Sequence, residues 1–206
     1  MKNWFRFLCF FVLSFFVAVF IWASHAVFVL DNVNVYSENG PLENMQVGLI
    51  AISCFVFLTP LALKKSSEKL THLFCFWLCY SFLVRELEIE RLDAPDFLVL
   101  IGSGIGRNII LAVGFISLTG YALSKFSYYK EVALAFLKSK TGLLLMLGGL
   151  FLVIGTLFEI SSSINQNVLF EELFELGGYC FILVSALSLN FISTPETSSV
   201  TMPGKI

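Results

Sequence analysis

Two pairs of glutamates stand four residues apart in this chain, Glu86 with Glu90 and Glu171 with Glu175. On a helix, residues at that spacing stack one turn above another on the same face. Like charges so placed repel. Such a pair persists where one member is protonated, where an arginine lies between carboxylates, or where a cation is held. Arg85, Arg91 and Arg107 are the arginines at hand. Glu43 and Glu159 join the set because the apolar pattern puts them at the same level as the pairs. The candidate ligand-binding residues are therefore Glu43, Glu86, Glu90, Arg107, Glu159, Glu171 and Glu175. A pocket of this kind suits a cation, a proton or a polar ligand. Paired carboxylates also serve as acid and base, or as ligands of a catalytic metal.

Other chemistries find less support. Zinc and iron sites draw on imidazole or thiolate, and the chain has two histidines, His25 and His72, expected at opposite ends of the structure. An all-oxygen set suits calcium, magnesium or manganese instead. All five cysteines lie in apolar runs, where a thiol packs as a small hydrophobe, and Cys75 and Cys79 have helical spacing without a second pair. The glycines at 102, 104 and 106 make a poor phosphate loop, because no strand precedes them and the lysine of such a loop is missing. For Arg107 the expected role is an ion pair with one of the glutamates. No cofactor motif and no nucleophile with its base can be assigned.

What must hold these residues in place follows from composition. Of 206 residues 57% are hydrophobic and 14% charged, with a mean hydropathy of +0.86, far from the mixture of a soluble domain. Lipid is the implied solvent. The net charge of −2 comes without a clustered basic patch, so nucleic acid is not an expected partner. The expected fold is an all-α polytopic membrane bundle of about six transmembrane helices: Phe5 to Leu30, Met45 to Leu63, a third from near Leu70, Asn108 to Ser124, Gly142 to Ile160 and Phe170 to Ile192. Residues 1–192 form one transmembrane domain and 193–206 a short flexible tail. Asn39, Gly40 and Pro41 mark a turn before the second span, and a break is expected at Gly102, Ser103 and Gly104 before the fourth. Gly148 and Gly155 against Gly177 and Gly178 predict close packing of the last two spans, which brings Glu159 near Glu175.

The uncharged runs of the third, fifth and sixth spans are about 15 to 17 residues, short of the roughly 20 that cross a bilayer. Polar residues must therefore enter the membrane zone. Lysines can snorkel at one end, whereas Glu86, Glu159 and Glu175 close the other on shorter stems. Lysine placement makes the lysine-rich side cytoplasmic, with both termini there, as in a bacterial inner membrane. The first span is read as retained, since its apolar run is longer than a signal core. Tyr129, Val132, Ala133, Phe136 and Leu137 recur at helical spacing among lysines, as in a segment lying on the inner leaflet.

Three functional readings follow. The acids are solvated helix caps and interhelical salt bridges of a non-catalytic subunit; they line an outer-face cavity used in transport or sensing; or they make a carboxylate-dependent enzyme. Beyond the lipid bilayer, a protein partner or a second copy is compatible with the first two.

Overall fold

The computed structural model describes residues 2–63, 69–87, 89, 95, 99–100, 102–161 and 166–191. The expected tail and the boundary at 192 lie outside the described residues. The chain is all-helical among those described. In order come α1 (Lys2–Phe28), a 3-10 turn (Val33–Tyr36), α2 (Pro41–Leu63), α3 (Lys69–Glu86), α4 (Gly104–Ser124), α5 (Phe126–Lys138), α6 (Lys140–Ile160) and α7 (Asn167–Phe191). Among the described residues five segments are long and apolar enough to cross a membrane: Phe5–Phe28, Val33–Leu61, Gly104–Ser124, Lys140–Ile160 and Asn167–Leu189. The third expected span, α3, is not among them. With 18 residues it is about 27 Å long at 1.5 Å per residue, and charged or polar groups occupy both of its ends.

The helices are arranged around α7. Its apolar stretch is 72% buried, against 17% for α1 and α6 and 6% for α4. Helices α1, α2 and α6 pack directly on it, with α3 behind α2 and α4 on α3. Glycine sets the closest approach. A Cβ on Gly148 would lie 2.9 Å from the Gly178 carbonyl oxygen, and one on Gly178 would lie 3.0 Å from the Gly148 oxygen. Backbone therefore meets backbone across the α6–α7 seam, as the glycine spacing predicts. Between α2 and α3 the core holds Ile50, Cys54 and Phe57 with Cys75 and Cys79, so the two α3 thiols do have a neighbouring cysteine on another helix. All five cysteines are free.

Local chemistry explains the helix starts. Pro41 occupies the first position of α2, where its missing N–H is not needed, and Asn39 turns the chain at φ 56°. Ser103 is extended and Gly104 takes φ +49°, a left-handed value that suits a residue without a Cβ. The predicted break is there, and α4 begins at it.

The end of the bundle where α3 closes and α7 opens is tied by side chains from several elements. The Tyr36 hydroxyl donates to Gln166 Oε1 at 2.6 Å, and Asn167 Nδ2 donates to the Phe158 carbonyl at 3.3 Å. Beneath these bonds lies an apolar cluster of Val27, Val35, Leu42, Leu169 and their neighbours. At the opposite end the Thr141 and Ser188 hydroxyls meet at 3.1 Å, and Ser185 donates to the Thr141 carbonyl.

Candidate functional site

Three carboxylates and a phenol share one face of α7. Glu171, Glu175 and Tyr179 follow at intervals of four, and Glu172 lies beside them on the helical wheel. Residue 155 of α6 is what lets this face stay close to its neighbour. A Cβ on Gly155 would touch the Glu175 side chain at 3.0 Å and the Glu171 carbonyl at 3.3 Å. Glycine there leaves room for the acidic stem to pass.

The last turn of α3 supplies the counter-charge. One nitrogen of Arg85, Nη2, lies 2.5 Å from Glu175 Oε1 and 2.7 Å from Glu86 Oε1, while Arg85 Nε donates to the same Glu86 oxygen at 3.0 Å. The Tyr179 hydroxyl donates to that oxygen as well, at 2.7 Å. Burial is uneven. The Glu86 and Glu175 side chains are 9% and 8% exposed and Arg85 is 47% exposed, so the guanidinium covers two carboxylates that are otherwise shut from water. Charge-assisted bonds of this kind are the strong ones, and two acids that would repel are held by one arginine between them. Removing the Tyr179 hydroxyl takes one donor from a buried carboxylate. Tyr179→Phe should therefore lower stability by about 1.5–3 kcal/mol, measured by thermal unfolding in detergent, while helix content is kept.

A second centre lies one turn away. Gln46, at the start of α2, is completely buried. Its amide nitrogen donates to the Glu172 carboxylate at 2.7 Å and to the Glu172 carbonyl at 2.9 Å. Two acceptors on one side fix which way the amide is turned, because only the NH2 can face both. The other end is then an acceptor, and Gln46 Oε1 has no hydrogen-bond partner among the described residues. A buried polar atom without a partner is costly and calls for an explanation.

The expected site residues divide. Glu86 and Glu175 are brought together, and Glu171, half-buried, shares their face. Glu159 is exposed at the end of α6 but close enough to act electrostatically on Glu171 and Glu175. Glu43 instead accepts the backbone N–H of Asn39 and so helps to close the start of α2. Arg107 donates to the Val84 carbonyl at 3.1 Å, capping the end of α3, and among the described residues the ion pairs are those of Arg85. Glu90 lies outside the described residues. Tyr179 is not among the expected residues although it continues the spacing of Glu171 and Glu175, and Glu172 and Gln46 carry no spacing signal that would single them out.

The described residues contain no group of three or more His, Cys, Asp or Glu placed to hold a metal ion. The donor set is therefore mixed: one guanidinium among Glu86, Glu171, Glu172 and Glu175, with an amide oxygen beside it. Arg85 bonds two of the carboxylates and balances the charge of one, and Glu171, Glu172 and Gln46 Oε1 remain as acceptors. Comparison with protein families, with curated proteins and with solved structures finds no match for this chain.

Proposed function

We propose that this chain is a six-span integral membrane protein that binds a small monovalent cation at its non-cytoplasmic rim, as part of transport or sensing. In this reading α3 is the sixth span, made short by the charges at its ends. The lysine-rich ends of the helices and both termini face the cytoplasm. The observation that carries the site is Gln46: a buried amide turned toward Glu172, with its oxygen unpartnered among the described residues, beside a helix face where the described carboxylates outnumber the arginine that meets them. A cation resting on Gln46 Oε1 and the Glu172 carboxylate would satisfy the first and offset the charge of the second. Glu171 adds negative potential along the way in.

Protons compete with such a cation, because a protonated Glu172 no longer offers a full charge. Apparent affinity should thus fall as the pH is lowered from neutrality. The test is thermal unfolding of the purified protein in sodium, potassium, calcium, magnesium and manganese chlorides at fixed ionic strength. A monovalent salt at about a hundred times its dissociation constant should stabilise the wild type by about 2.7 kcal/mol. Glu172→Gln and Gln46→Leu should abolish that response, while Glu159→Gln should keep it. Equal behaviour of wild type and Glu172→Gln in every salt would exclude the site.

The subunit reading has one observation of its own. Helix α4 is almost unburied, with Ile105, Ile109, Val113 and Ile116 exposed along it, a face that either lipid or a partner helix would cover. A partner would show as a stable complex, purified in mild detergent, whose cation response requires both chains.

A further inference from the structure

Helix α5 joins α4 to α6 through a single non-helical residue at each end, Lys125 and Ser139. Both corners are hydrogen-bonded. Lys125 N donates to the Ala122 carbonyl, and Ser139 bonds the Phe136 carbonyl with its N–H and hydroxyl while accepting the Gly142 N–H. A Cβ on Gly142 would run into the Phe136 carbonyl at 2.1 Å, so the start of α6 sits hard against the end of α5. If α4 and α6 cross the bilayer, a helix about 20 Å long tied this tightly to both must run at the level of the membrane surface.

Its faces differ. Tyr129, Val132 and Phe136 are partly buried, and Phe136 packs against the α2–α3–α7 core. The sequence stripe that joined them to Ala133 and Leu137 is split, since the latter two are exposed. Phe126, Leu134 and Leu137, at i, i+8 and i+11, form a second apolar face that is 59%, 47% and 42% exposed. Lys130 stands within that face, and Lys125 and Lys138 flank it, all three exposed. Glu131 is the one acid on the helix.

We propose that this outward face of α5 seats on anionic phospholipid, with Phe126, Leu134 and Leu137 among the upper acyl carbons and Lys125, Lys130 and Lys138 against the phosphates. Charge decides the occupant: lysines beside bulky apolar side chains match a negatively charged leaflet, whereas a soluble acidic partner would leave the apolar face wet. The inference rests on membrane insertion, though not on the cation site. It is tested on the whole protein in nanodiscs of phosphatidylcholine alone or with a quarter phosphatidylglycerol, using spin labels at Leu134→Cys, Ala135→Cys and, in α4, Val113→Cys. The label at 134 should be open to oxygen and closed to a water-soluble nickel chelate, the label at 135 the reverse. The label at 134 should move deeper when phosphatidylglycerol is present, and Lys130→Gln with Lys138→Gln should remove that shift. A lipid-exposed label at 113 with a water-exposed label at 134 would overturn the seating of α5 alone, and water exposure at 113 would overturn insertion itself. Equal depth of label 134 in both lipids would overturn the anionic preference.

Discussion

Arg85→Ala is expected to destabilise the bundle by on the order of 2–4 kcal/mol, and adding Glu175→Gln is expected to recover much of the loss. Both effects follow from one geometry. Arg85 bridges Glu86 and Glu175, which are nearly closed to solvent, so its removal leaves two carboxylates side by side at the edge of an apolar bundle with Tyr179 as the remaining donor to Glu86. Taking away one partner of a buried pair usually costs about 3–5 kcal/mol, and the half-exposed guanidinium brings the figure down, because water screens part of its field. Glu175→Gln removes one of the two stranded charges and so should be far milder on the alanine background than on the wild type. Arg85→Lys should recover only part of the loss, since an ammonium lacks the planar fork that reaches two carboxylates at once. Equilibrium unfolding of the four proteins of the cycle in mixed detergent measures the coupling. A coupling near zero would mean that water, and not Arg85, neutralises the pair.

The second large effect is expected at the α6–α7 seam. Gly148→Leu should force the two helices apart, because a Cβ at this position already stands 2.8 Å from Ile182 Cγ1 and 2.9 Å from the Gly178 carbonyl, and backbone cannot move aside cheaply. Gly148→Ala should destabilise by about 1–3 kcal/mol, the usual range for overpacking, and the leucine by more. The neighbouring position is the control. A Cβ on Gly149 meets nothing within 4 Å, so Gly149→Leu should leave stability within about 0.5 kcal/mol of the wild type. Thermal unfolding of the three variants separates a specific seam from a general intolerance of bulk in α6. Equal tolerance at 148 and 149 would show that the helices do not approach through their glycines.

The seam and the helix break were legible in advance because each depends on a local property. Glycine at 148 and 178 permits close approach whatever the rest of the chain does, and glycine at 104 permits a left-handed turn. The acidic face of α7 was legible for a similar reason, since residues four apart must stack. Which arginine would answer it was not. Arg85 and Arg107 stand at the same level, and only the packing order separates them: α4 packs on α3, away from α7, so Arg107 reaches the Val84 carbonyl and leaves the glutamates to Arg85. Glu43 accepts the Asn39 N–H, and an acid at a helix start reads the same whether it faces a site or the preceding turn. Gln46 could not be singled out, because the burial of one amide depends on the rotation of α2 against α7. The stripe on α5 was read as a single apolar face, but contact with the core claims only the half that carries Tyr129, Val132 and Phe136.

Infrared difference spectroscopy of the protein in vesicles, recorded on adding sodium or potassium, probes the cation site most directly. Wild-type protein should show a shift in a carboxylate stretching band that Glu172→Gln removes and Glu159→Gln preserves. A spectrum in which the cation moves no carboxylate band, or in which the same band moves in Glu172→Gln, would contradict a site at Glu172 and leave the acids as structural ties between helices.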